Sequence, residues 1–229
     1  MRPRSNDKCG KNARPNERIA MNKKTTAAIG AALAGVAGLI GCASNFSDSA
    51  AAKQALEVMK ASFAAKGIAQ MDRLDQDEVQ RLCTEYSGQP LPQEVAEKIQ
   101  QSQVATIKQP ASGKLIGDWK AGEKIAQDGR GLQFSDAADG PRGGNCYACH
   151  QLAPQEISYG NLGPSLYNYG KLRGDRVEIV EYTYGKVYNS NAYAPCSNMP
   201  RFGHNKILTP EQIADVVGLL LDPLSPVNK

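Results

Sequence analysis

Only two histidines, His150 and His204, occur in the 229 residues, which excludes any chemistry built on several imidazoles. Long apolar runs are equally scarce. One stretch alone, residues 25–41, approaches the length needed to cross a bilayer, so a polytopic membrane protein is excluded. Charge of one sign is not in large excess either. The 27 Lys and Arg stand against 23 Asp and Glu, a formal net charge of +4, which disfavours a nucleic-acid partner. No internal repeat is visible. What is present, 41% hydrophobic residues with scattered tyrosines, is sufficient for a packed core of one or two domains.

Even the small positive excess is local. Residues 1–41 hold eight of the 27 basic residues and two of the 23 acidic ones, which leaves 19 against 21, a formal net of −2, for the remainder. Met21-Asn22-Lys23-Lys24 is a short positive segment, followed by an uncharged run of Ala, Gly, Leu, Ile and Val through Gly41. This pattern is that of an export signal, too short and too rich in Ala and Gly for a transmembrane helix. It ends in Leu39-Ile40-Gly41-Cys42, which resembles the lipobox of bacterial lipoproteins and implies cleavage before Cys42 and lipidation of its thiol. The alternative is ordinary cleavage nearby, with Cys42 incidental. Cys9 lies ahead of Met21, a second candidate start.

The expected organisation is an export signal over 1–41, a tether over 42–52, a helical extension over 53–110 and a folded domain over 111–229. The extension has helical spacing from Lys53 to about Gly67, from Asp72 to Cys83, and from Pro92 to about Lys108. It either packs on the main domain or serves as a partner-binding arm. Within the domain, Asp118 is expected to cap a helix that ends before Gly129, and residues 177–184 lean towards helix. Thr209, Pro210 and Gln212 form a capping box with proline at the first helical position; Ile213, Val216, Val217 and Leu220 are its buried stripe. The fold class read from these elements is all-α.

Cys146-Tyr147-Ala148-Cys149-His150 carries the chemistry. C-x-x-C-H is the attachment sequence of haem c: two thiols three positions apart each reach one vinyl group, and the adjacent imidazole becomes an axial ligand. A thioredoxin-like redox pair would need a βαβ context, and a zinc site would need a second Cys/His pair; both are missing. An export signal agrees with haem c, which is attached outside the cytoplasm. For the sixth iron position Met199 is favoured over its competitor His204. Pro200 restrains Met199 to an extended backbone suited to a loop, while His204 sits in a Gly-His-Asn segment expected at the surface. Arg201, beside the ligand loop, is a candidate neighbour of a haem propionate. A His/Met pair leaves no open position for oxygen or peroxide, so the iron is expected to relay electrons. Of six cysteines, Cys83 and Cys196 remain after the haem pair, Cys42 and Cys9; they form either a disulfide or two isolated thiols.

Three groups of residues carry a family resemblance: Gly117 to Glu123, Gly144 to Leu152 with Gly160 to Leu166, and Pro195 to His204 with the Asp222 to Asn228 ending. Together with Tyr184 to Asn189 they resemble SoxX, the monohaem subunits of SoxAX cytochromes, over roughly residues 115–228. The resemblance implies a class I cytochrome c-like domain around one covalent haem, held by Cys146 and Cys149 and ligated by His150 and Met199. It implies a SoxA-like partner subunit in which thiosulfate is joined oxidatively to a cysteine of a SoxYZ-like carrier, an L-cysteine S-thiosulfotransferase reaction. This chain would accept the electrons and pass them to a downstream cytochrome c in the periplasm. The long segment before residue 110 and the lipobox depart from that pattern.

Overall fold

The computed structural model describes residues 50–229; the expected signal, Cys9 and the lipobox Cys42 lie outside the described residues. Among the described residues there is no β-strand, only an isolated bridge between Lys66 and Ala69, so the all-α expectation is met.

Among the described residues three helices precede residue 110: α1 (Ala50–Ser62), α2 (Glu78–Glu85) and α3 (Gln93–Val104). Their limits differ from the sequence expectation for local reasons. α1 takes in the last three residues of the expected tether and stops before Gly67, which sits at φ +54. The helical reading from Asp72 is corrected to a single 3-10 turn, Met71–Leu74, followed by α2. Asp77 decides where α2 starts, because its carboxylate accepts from the Gln80 N–H while the Gln80 side chain returns to the Asp77 N–H.

Four helices follow: α4 (Trp119–Gln127), α5 (Tyr169–Arg173), α6 (Val177–Tyr188) and α7 (Pro210–Leu221). Asp118 caps α4 by accepting from the Lys120 N–H, and Thr209 caps α7 in the expected box with Gln212. α6 turns Thr183, Tyr184, Val187 and Tyr188 inward, a helical stripe.

α7 is the axis of the core. Ile213, Ala214, Val216, Val217 and Leu221 join Tyr184, Val187, Tyr188, Phe202 and Leu208 in one cluster. Leu219 and Leu220 join Ala126, Tyr147, Leu152 and Val227 in a second. Each large aliphatic side chain buried this way contributes about 1.5–3 kcal/mol. α4 crosses α7 at backbone contact. A Cβ on Gly122 would lie 2.1 Å from the Asp215 carbonyl oxygen, and one on Gly218 would lie 2.5 Å from the Gly117 carbonyl oxygen. The chain end is locked by buried Asn228, whose amide donates to the Leu220 and Asp222 carbonyls and accepts from the Gly170 N–H.

Candidate functional site

The C-x-x-C-H turn hangs from the end of α4. The Gly144 N–H donates to Ile125 O at 2.8 Å and the Asn145 N–H to Asp128 O at 2.9 Å, which ties the approaching loop back to the helix. Asn145 then takes a left-handed conformation, φ 46, and the chain enters a 3-10 turn at Cys146–Ala148. The Cys149 and His150 N–H groups both donate to Cys146 O, so two thiols and one imidazole come from a single turn. Cys146 and Cys149 are free and half-buried. Burial pushes the Cys146 thiol up to about 12, which keeps it a neutral thiol. Tyr147, between them, is buried in the second core cluster and anchors the turn.

The next loop folds over this turn. The Gly160 N–H donates to Tyr147 O and the Gly163 N–H to Cys149 O, and Pro164 O then lies 2.7 Å from His150 Nδ1. A carbonyl only accepts, so Nδ1 carries the proton and Nε2 keeps its lone pair for a metal. Gly163 makes this approach possible: a Cβ there would stand 2.2 Å from His150 Cε1. These residues fit a covalently attached haem. The two thiols are unpaired, the imidazole presents one free nitrogen in a fixed orientation, and the glycine cradle leaves room only for that ring. Among the described residues no group of three His, Cys, Asp or Glu gathers around an ion, which leaves the Cys146, Cys149 and His150 set without the partners a zinc site needs.

Met199 is held differently. It lies half-buried against the first core cluster, in an irregular segment between α6 and α7. Its N–H donates to Ser197 Oγ at 3.2 Å, and its carbonyl accepts from Ser190 Oγ at 2.5 Å. Cys196, three residues before it, sits at φ 60 and is joined to Cys83 of α2 by a disulfide with Cα atoms 5.4 Å apart. Arg201, two residues after it, is only 6% exposed, so its charge needs a partner. That partner is Asp77, at 2.5 Å, with Gln103 Oε1 at 3.4 Å on the other guanidinium nitrogen. The guanidinium expected beside a propionate is therefore committed to α2 and α3. Burial opposes the charge on Asp77, yet the Gln80 N–H and Arg201 hold its carboxyl below the usual carboxylate range. His204, expected at the surface, is half-buried; burial and Arg201 lower its pKa and favour the neutral ring.

A cleft of about 590 Å³ is lined by Lys108, Arg142, Tyr188, Lys206 and Leu208, and none of Cys146, Cys149, His150 and Met199 lines it. Sequence reading missed several supports of the site. Ser197 stands two residues before Met199, a spacing at which serine commonly bonds nearby backbone and which could have been read. Asp77, Gln103, Asn189 and Ser190 carried no local signal for a role at Met199.

Residues 130–222 match the family model for cytochrome c. A protein from Aquifex aeolicus (strain VF5), described as an uncharacterized lipoprotein, is 42% identical over 158 residues, covering 67% of this chain and 73% of its own. Residues 111–229 make up only about half of the chain, so that similarity necessarily takes in part of the segment before residue 111.

Proposed function

This chain belongs to the cytochrome c family, with its domain at residues 130–222, and from that premise we infer that it is the monohaem electron-accepting subunit of a SoxAX-like complex. Covalent haem c supplies a one-electron couple between ferric and ferrous iron. Cys146 and Cys149 would hold it as thioethers. His150 would ligate the iron through Nε2 while Pro164 O fixes its Nδ1–H, and Met199 would provide the second protein ligand. The single observation that carries the electron-transfer role is the His150 arrangement, two thiols and an oriented imidazole on one turn.

The finer assignment is supported by where the family-like stretches fall. Gly160 to Leu166 contains the glycine and carbonyl that seat His150, and Pro195 to His204 contains Met199 and its immediate supports. Joining a carrier cysteine thiolate to the outer sulfur of thiosulfate forms one S–S bond and releases two electrons. In this reading the bond forms on a SoxA-like partner, and this chain passes the electrons singly to a downstream cytochrome. The Aquifex relative is called a lipoprotein, which supports diacylation of Cys42 and tethering on the periplasmic side of a membrane.

Co-purification from native periplasm, followed by thiosulfate addition with a SoxYZ-type carrier present, tests the assignment. A haem that co-purifies with a second cytochrome subunit and is reduced in that mixture is the expected result. A haem that purifies alone and is never reduced identifies a free-standing His/Met electron shuttle instead. Radiolabelled fatty acid uptake that survives Cys42→Ala would exclude acylation there.

A further inference from the structure

We propose that the segment from Asp77 to Thr106 is a clamp that positions Met199 on the iron, so that residues outside the matched cytochrome c domain set the strength of the sixth ligand. The proposal rests on the reading of Met199 as that ligand. A thioether is a neutral and soft donor, so its occupancy depends on how much freedom its loop retains when it leaves. The Met199 loop has no helix of its own between the Ser190–Ala192 turn and α7. Besides its packing on the core and the Gly203 and His204 N–H bonds to Tyr188 O, three tethers hold it, and each of these leads back to the clamp.

The first is covalent. The Cys83–Cys196 disulfide fixes the loop at its left-handed corner, directly before Ser197, which accepts from the Met199 N–H. The second is ionic. Arg201, buried two residues past Met199, is neutralised by Asp77 at the head of α2. The third is a buried amide network. Asn189 is fully buried, and its side-chain amide donates to Gln103 Oε1 at 3.0 Å and to Thr106 Oγ1 at 2.9 Å. Ser190, the next residue, donates to the Met199 carbonyl. Gln103 Oε1 also accepts from Arg201, so one side chain of α3 supports the Met199 backbone from both sides. These tethers cover positions −3, −2, 0 and +2 around the sulfur-bearing residue. Asp77, Gln103 and Cys83 are thus positioning residues that act through Arg201, Asn189 and Cys196.

The test uses the full-length holoprotein. Asp77→Asn keeps the helix cap, because asparagine caps as well as aspartate, and replaces the carboxylate oxygen facing Arg201 by an amide NH2, so that both the charge and the acceptor are lost. In this variant the ferric near-infrared Met–iron charge-transfer band should weaken and the midpoint potential should shift. Carbon monoxide should bind the ferrous form at least about threefold faster, the change expected when a contact of modest coupling energy is lost. Asp77→Glu should restore all three. Should Asp77→Asn fail to load haem, wild-type holoprotein whose disulfide has been reduced and alkylated reads the same quantities and should change in the same direction. Unchanged band, potential and carbon monoxide binding in either preparation, whatever happens to its unfolding midpoint, overturn the clamp. A wild-type protein that lacks the band overturns the Met199 reading and the clamp with it.

Discussion

The His150 turn and the Met199 loop, which carry the two proposed ligands of one iron, are held by opposite means. Around His150 the hydrogen-bonded supports are near in sequence, the farthest being Gly144 N–H to Ile125 O, 19 residues apart, with Pro164 O 14 residues from His150. Around Met199 the partners are remote: Cys83 lies 113 residues from Cys196, and Asp77 lies 124 residues from Arg201. Local turns cost little loop-closure entropy, whereas remote pairs form only when the tertiary structure closes. The imidazole side is therefore set by short-range backbone chemistry, and the thioether side is an adjustable product of the whole fold.

The comparison can be broken most severely at its local end. His150→Ala should abolish the low-spin ferric spectrum, and added imidazole should restore it; a low-spin spectrum that persists without imidazole would mean another residue ligates. Met199→His should keep six-coordination but lower the potential and remove the near-infrared band, as a harder donor replaces the thioether. An unchanged spectrum there would point to His204 as the native ligand. Replacing both Cys83 and Cys196 by serine should reduce the unfolding free energy by about 2–4 kcal/mol while covalent haem content stays at the wild-type level. Denaturant titration beside a haemochrome assay separates the two quantities.

Smaller effects sharpen the contrast. Gly163→Ala should cost about 1–3 kcal/mol, since its methyl would displace the His150 ring, and hydrogen exchange should rise at Gly163 and Leu166 but not around Met199. Acid titration compares the two ends through one carboxylate each. Bonds from the Arg130 side chain and N–H lower Asp128 to about 2, and Asp77 is also held low. Both folded values lie below the unfolded ones. Their contributions are present above the ordinary carboxylate range and are lost as pH falls through the depressed values. Unfolding midpoints should drop as pH falls below the ordinary carboxylate range, and Asp77→Asn or Asp128→Asn should each flatten that drop. Parallel curves for wild type and both variants would remove these carboxylates from the acid response.

Legibility in the sequence follows the same division. The C-x-x-C-H turn, the Asp118 cap and the Thr209–Gln212 box were readable because each is closed by residues a few positions apart. Apolar spacing points to a helix from Asp72, whereas Asp77 and Gln80, at capping-box spacing, fix the start of α2 at Glu78. The destination of Arg201 was not readable at all. Its position beside Met199 pointed to a propionate, and only the folding of α2 and α3 onto the loop supplies Asp77 and Gln103. Nor did Gly163 reveal its role, since nothing local tells that a glycine will meet an imidazole 13 residues upstream.

The Cys83–Cys196 bond places two opposing redox demands on one chain during its synthesis. Haem attachment requires Cys146 and Cys149 as thiols, while the other pair must lose two electrons. In chain order the haem cysteines lie between the two that must pair. A polypeptide emerging N-terminus first presents Cys83 to Cys146 and Cys149 before Cys196 exists as a partner. The cluster that covers Cys146 includes Leu219, Leu220 and Val227, which follow Cys196 in the chain, so burial shields this thiol only once the whole domain has closed.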